Sequence, residues 1–148
     1  METAFISLGS NLDHPVKHIL VAFDQIEKSS NITVGKISSL YRTRPVGPQN
    51  QNDYINAVVS IQTSLPPVEL LDTLQRIEKK HKRKRSVKWG PRSLDLDILL
   101  YGTLVLKTKD LTIPHPELVN REFVLIPLVE ITNQDFTITK YGKISKYI

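Results

Sequence analysis

The stretch LDLDILLY, residues 94 to 101, constrains this chain most, because apolar and acidic residues alternate along it with the two-residue period of a β-strand. Leu94, Leu96 and Ile98 then share one face, and Asp95 and Asp97 share the other. The apolar face has to be covered and the acidic face has to stay open, so the strand belongs to a sheet with two unlike sides. Residues 54 to 63, YINAVVSIQT, repeat the pattern: Ile55, Ala57, Val59 and Ile61 fall on one side, Tyr54 and Asn56 on the other.

Helices that could cover the apolar side precede each of these strands. After a short strand at residues 3 to 8 that ends in Gly9, Ser10 and Asn11, Pro15 suits a first helical turn. Val16, Ile19, Leu20, Phe23 and Ile26 then recur at helical spacing, which predicts a helix over residues 14 to 29. A β-rich segment follows at 32 to 42. Pro66 and Pro67 open a second helix with Leu70, Leu71, Leu74 and Ile77 as its apolar stripe, while Gln75 and Glu78 share another of its faces. The order β-α-β-β-α-β predicts an α+β fold of ferredoxin-like type, an antiparallel sheet with helices on one face. A short helix near 121 to 130 and a small hairpin turning at Tyr141 and Gly142 complete one expected domain over residues 1 to 148.

Composition removes several function classes. The chain has no cysteine, which excludes a thiolate nucleophile, a disulfide framework and cysteine-ligated zinc. No apolar run approaches the ~20 residues of a membrane span, and the first residues, METAFISLGS, do not resemble a secretory signal, so a cytoplasmic protein is expected. The net charge of +5 is concentrated in residues 79 to 92, KKHKRKRSVKWGPR, which hold eight Lys or Arg and no acid. The rest of the chain carries 12 basic against 15 acidic side chains.

Two carboxylates two residues apart in a strand have their roots about 6.6 Å apart, from a rise of ~3.3 Å per residue. That spacing suits magnesium, which takes one or two carboxylates and completes its shell with waters and phosphate oxygens. Trp89 and Arg92 lie just before the pair, joined by the Gly90-Pro91 corner, and place a guanidinium beside the metal position. Arg83 and Arg85 can close over the same phosphates. Residues 43 to 53 and about 81 to 93 are long connections, with the character of lids.

The run K-W-G-P-R-S-L-D-L-D-I-L at 88 to 99 resembles the signature of the 6-hydroxymethyl-7,8-dihydropterin pyrophosphokinase family. Other pieces agree in order: I-x-L-G-S-N-L at 6 to 12, Y-R-T-x-P-x-G-P-Q at 41 to 49, Y-x-N-A-V at 54 to 58, Q-R-I-E at 75 to 78, and I-P-H-P with R-x-F-V-L-x-P-L from 113 to 128. The resemblance implies transfer of pyrophosphate from ATP to the pterin hydroxymethyl group with release of AMP, in folate biosynthesis. It implies that Asp95 and Asp97 bind two magnesium ions, with Arg83, Arg85 and Arg92 in the catalytic apparatus. Tyr54, Asn56 and Phe123 should hold the pterin, together with main-chain groups near Thr43, Pro45 and Val46. Gln75, Glu78, Trp89, Arg92, Ile98, Thr112, His115 and Arg121 resemble ATP-side residues. Lys82 stands where many members have glycine, and Asp110 and Glu117 where some relatives are basic. A monomer is expected, its product passing to dihydropteroate synthase, with no nucleic-acid or membrane partner.

Two rival classes share features of the pattern. An RNA-recognition module has the same element order, but the strand at 94 to 101 lacks its aromatic signature and carries two acids that repel phosphate. A magnesium-dependent nuclease or cyclase also pairs carboxylates, yet leaves Tyr54, Asn56 and Phe123 without a role.

Overall fold

The computed structural model describes residues 1–44, 52–81 and 93–148. The elements of the core are β1 (Glu2–Ser10), α1 (Pro15–Glu27), β2 (Ile32–Ile37), β3 (Tyr41–Thr43), β4 (Tyr54–Thr63), α2 (Pro67–Lys80) and β5 (Asp95–Tyr101). They build an antiparallel sheet in the order β2-β4-β1-β5, with β3 paired to β4. This is the ferredoxin-like order expected of the β-α-β-β-α-β pattern. The segment predicted as one strand over 32 to 42 is two. Its break is fixed at Ser38, whose N–H donates to the Val58 carbonyl (2.9 Å) and whose hydroxyl accepts the Val58 N–H (2.9 Å).

Alternation sorts the side chains as expected. Ile6 and Leu8 of β1, Ile55, Ala57, Val59 and Ile61 of β4, and Leu96 and Ile98 of β5 pack against Ile19, Phe23 and Ile26 of α1 and Leu70, Leu74 and Ile77 of α2. The stripe of α1 is turned relative to its prediction: Val16 and Leu20 are 42% and 53% exposed, and Ala22 is buried in their place. At 100° per residue, Ile19, Phe23 and Ile26 centre the buried arc and leave Val16 and Leu20 on its flank.

The second face is half covered, which the sequence pattern did not anticipate. Helix α3 (Glu122–Ile131) lies there, and its Val124, Leu125 and Leu128 join Phe5, Val58, Leu99 and Leu100 in a second core cluster. An irregularity in the β1–β5 ladder makes this possible. Ile6 pairs with Ile98 but Phe5 with Leu100, so Leu99 is the extra residue of a bulge. Both Leu99 and Leu100 enter the second cluster, and Tyr101 returns to the first. Beyond the core, β6 (Leu106–Lys107) pairs β7 (Thr112–Ile113), and β8 (Thr137–Ile138) pairs β9 (Gly142–Lys143) in the hairpin expected near Tyr141. Among the described residues no helix is long and apolar enough to cross a membrane.

A polar contact joins the two helices of the first face. His81, which caps α2 and is 8% exposed, meets His18 of α1 with their Nδ1 atoms 2.7 Å apart, and its Nε2 lies 2.6 Å from Gln25 Oε1. One ring must donate and the other accept, so both cannot be protonated. Burial, and then the charge of His18, hold His81 below the ordinary histidine range. The unfolded chain therefore binds more protons than the folded one between the lowered pKa and about 6.5, and stability rises with pH across that window. Melting temperature should fall as pH is lowered from about 7.5 to about 5, and His81→Leu should flatten that part of the slope. Equal slopes for the two proteins in thermal unfolding would refute the assignment.

Candidate active site

The uncovered half of the second face holds a cavity of about 340 Å³, within the usual range for a small-molecule site. Its floor follows from strand register. Gly9 of β1 pairs with Asn56 of β4 on one side and Asp95 of β5 on the other, forming one row across three strands. Ser7 pairs with Val58 and with Asp97 in the next row. At ~4.8 Å between strands, the Asn56 and Asp95 backbones stand about 10 Å apart, which leaves room for a flat ligand between amide and carboxylates.

The sequence predicts a turn at Gly9, but β1 continues through it to Ser10. Its hydroxyl neighbour, Ser10, donates to the Ser93 carbonyl and ties the end of β1 to the start of β5. A Cβ on Gly9 would stand 3.3 Å from Asn56 Oδ1, so glycine keeps that amide oxygen open to the cavity. The Asn56 side chain is 6% exposed and its Nδ2 donates to Thr43 Oγ1 (3.0 Å). Thr43 thereby fixes the amide from the neighbouring strand.

The walls come from two directions. Thr43 and Arg44 rise at the end of β3, while Arg121, Phe123 and Val124 descend from the start of α3. Tyr54 and Phe123, both half-buried, line the same cavity. Phe123 also packs on the second cluster while it lines the cavity. The Arg121 guanidinium lies 5.7 Å from the Phe123 ring centroid, a cation–π distance.

Thr43, Tyr54, Asn56, Asp95, Asp97, Arg121 and Phe123 thus converge as expected. Glu78, on α2, accepts the Leu96 N–H (2.8 Å) at the outer edge of β5, between the two aspartates in sequence. Thr112 sits on β7, and the His115 N–H donates to the Leu99 carbonyl (2.9 Å), so both flank the same edge. His115 Nδ1 accepts the Glu117 N–H (3.1 Å), which leaves Nε2 as the protonated nitrogen of a neutral ring. Burial lowers its pKa, opposed by the Asp97 charge and reinforced by Arg121. Ile98 faces the first core cluster, so any contact it makes outside the core is through its main chain. Gln75 is exposed on α2 in a separate groove with Glu69 and Arg76, and the structure does not bring it to the cavity. Pro45, Val46, Arg83, Arg85, Trp89 and Arg92, and most of both long connections, lie outside the described residues. Ser7, Gly9, Arg44 and Val124 were missed by sequence reasoning; the pairing of Gly9 with the Asn56 position is the signal that could have found the first two.

Asp95 and Asp97, both half-buried, share the cavity. Among the described residues no three His, Cys, Asp or Glu side chains gather as a complete metal cage. A carboxylate pair of this kind fits magnesium, whose remaining ligands are waters and substrate phosphates, better than it fits a closed structural site.

The comparisons with known proteins agree on one family. The family model for 7,8-dihydro-6-hydroxymethylpterin-pyrophosphokinase (HPPK) matches residues 5–133. The chain is 51% identical over 133 residues to the 2-amino-4-hydroxy-6-hydroxymethyldihydropteridine pyrophosphokinase of Haemophilus influenzae, covering 90% of this chain and 83% of that one. It is 44% identical over 131 residues to the protein of the same name from Bacillus subtilis, covering 88% and 78%. In fold it is similar to a crystal structure of a Plasmodium falciparum HPPK-DHPS triple mutant, with a TM-score of 0.79 at 15% identity, covering 99% of this chain and 43% of that one. The chain belongs to the 7,8-dihydro-6-hydroxymethylpterin-pyrophosphokinase family.

Proposed function

We propose that this enzyme carries out its pyrophosphoryl transfer in the open half of the second sheet face, with the pterin over Gly9 and the ATP phosphates at Asp95 and Asp97. The observation that carries this reading is the row Asn56–Gly9–Asp95, which sets an amide, an open floor and a carboxylate in one line. The reaction is that of the family: pyrophosphate passes from ATP to the hydroxymethyl oxygen of 6-hydroxymethyl-7,8-dihydropterin and AMP leaves, a step of folate biosynthesis. That the solved neighbours are HPPK-DHPS chains supports a product that passes to dihydropteroate synthase.

In this reading Tyr54 and Phe123 offer aromatic faces to the pterin, and Asn56, oriented by Thr43, hydrogen-bonds its edge. The hydroxymethyl group then points along the row toward β5. Asp95 and Asp97 would hold magnesium, two ions in the expected arrangement, which when bound offset the charge of the ATP phosphates. Arg121 and the neutral His115 approach the phosphates from α3 and from the segment after β7, as charged and neutral donors. Glu78 keeps the edge of β5 in place by holding the Leu96 N–H, and the nucleotide runs along that edge, past the main chain of Ile98 and past β7 with Thr112. In-line attack of the held hydroxymethyl oxygen on the β-phosphorus breaks the bond to the α-phosphate oxygen, so AMP is the leaving group.

The product identifies the reaction. Purified protein with ATP, magnesium and 6-hydroxymethyl-7,8-dihydropterin should form AMP and a pterin carrying two added phosphates in equal amounts. ADP, or AMP formed without pterin, would overturn the reading. Asp97→Ala should lower kcat by on the order of a hundredfold or more while leaving the melting temperature near wild type, since the lost metal contact serves transition-state charge. A variant that keeps its activity would remove Asp97 from the metal site. Gly9→Val should raise the KM for the pterin by roughly tenfold with little change in the KM for ATP, because the branched side chain projects toward Asn56 Oδ1 over the floor. Parallel changes in both constants would show that the pterin does not lie over Gly9.

A further inference from the structure

The walls over the floor of the pterin cavity come, among the described residues, from two elements that do not follow one another in sequence, β3 and α3. Strand β3 is only three residues long and pairs with β4 alone: Tyr41 with Asn56, Arg42 with Ile55, Thr43 with Tyr54. So short an edge strand has little stability of its own. Its last residue nevertheless holds the Asn56 amide.

Opposite stands α3, whose first turn carries Phe123 and whose last turn carries Glu130. Seven residues of helix return to nearly the same face about 10 Å along the axis, so Glu130 and Phe123 look toward the same side. The Glu130 carboxylate gathers three donors from Ser39 and Tyr41 at the approach to β3. Oε1 accepts the Tyr41 hydroxyl (2.6 Å), Oε2 accepts the Ser39 hydroxyl (2.7 Å), and the Ser39 N–H reaches both oxygens (2.9 and 3.1 Å). The titration shifts agree with the geometry: these donors hold Glu130 below the ordinary carboxylate range, and the carboxylate pushes Tyr41 up. Ser38, which precedes Ser39, is itself clamped to β4 through Val58, so Ser39 and Tyr41 transmit a constraint to the sheet and do not merely follow the helix.

We propose that Glu130 is a positioning residue for the pterin pocket: by gathering Ser39 and Tyr41 on one carboxylate it sets the gap between Phe123 on α3 and the Thr43–Asn56 pair at β3. Glu130 touches neither reacting atom and lies outside the cavity lining. It acts through the spacing of the two walls, and it is well exposed, so water screens each bond and the effect on global stability is small. The effect on the pocket is larger, because a flat ring loses contact with both walls when the gap widens.

The proposal rests on the placement of the pterin between Phe123 and Asn56, and its test separates the two. In steady-state kinetics on the full chain, Glu130→Ala should raise the KM for the pterin by roughly five- to tenfold, leave the KM for ATP within about twofold, and leave the melting temperature nearly unchanged. Tyr41→Phe, which removes one donor, should give a smaller rise of the same kind, and combining it with Glu130→Ala should add little, as expected of residues in one network. Phe123→Ala is the control for the pocket itself. If Phe123→Ala raises the pterin KM and Glu130→Ala does not, Glu130 is a surface tether and the proposal fails. If neither changes it, the pterin lies elsewhere and the pocket reading falls first. If Glu130→Ala lowers the melting temperature and alters both constants alike, its role is general stability and the proposal is again overturned.

Discussion

Burial of Leu94, Leu96 and Ile98 under the two helices of the first face is the constraint on which everything else in the structure depends. Truncating a side chain of this kind to alanine typically costs about 2 to 5 kcal/mol. Two carboxylates with roots ~6.6 Å apart repel by roughly 0.6 kcal/mol in water and about 2.5 kcal/mol at an effective dielectric near 20. The apolar face therefore dictates the register, and Asp95 and Asp97 are carried to the cavity side despite their mutual repulsion. A slip of one residue would bury both acids in the helical core, an outcome far more costly than their repulsion.

The same register divides the second face into two territories. Along β1 the residues facing it run Phe5, Ser7, Gly9, from large and apolar to small, and their partners on β4 run from Ser60 through Val58 to Asn56. Helix α3 settles on the apolar end, where the bulge at Leu99 supplies an extra leucine for it to cover. It then stops short of the small and polar end, and Phe123 at its first turn overhangs the space that Gly9 leaves. The cavity is thus the remainder of a packing problem: the helix covers what is apolar, and what it leaves open is the part of the sheet that carries amide and carboxylates.

That division explains which features could be read from the chain itself. Strand β4 was legible to the residue, because Ile55, Ala57, Val59 and Ile61 alternate without interruption and their period belongs to strands alone. Asp95, Asp97, Tyr54 and Asn56 converge because alternation on β4 and β5 places them, and Phe123 joins them from α3, where only the family motif pointed to it. The break at Ser38 was not legible: it depends on the hydroxyl and N–H of one serine reaching Val58 on another strand. The bulge at Leu99 was hidden for a similar reason, since LDLDILLY continues to look apolar after the pairing has shifted. Gly9 was misread because glycine serves turns and close approaches equally well in sequence, and only the partner strand shows which it serves here. Gln75, also a motif position, lies on a face of α2 that lines a separate groove with Glu69 and Arg76.

Charge is distributed over the cavity in a way that complements its proposed contents. Asp95 and Asp97 occupy the β5 side, whereas Arg44 and Arg121 rise on the walls from β3 and α3. A polyanion alone would be repelled by the carboxylates, and a cation alone would be repelled by the arginines. A nucleotide phosphate chain with bound divalent ions meets both conditions, its metals turned to the acids and its outer oxygens to the guanidiniums. The proposed pterin position, over Gly9 and beside Asn56, carries no formal charge on its floor, which suits a neutral heterocycle recognised by an amide and by aromatic faces. The separation of charged and neutral ground within one cavity follows from the strand register, so the burial of three apolar side chains on the far side of β5 also sets the ground proposed for each substrate.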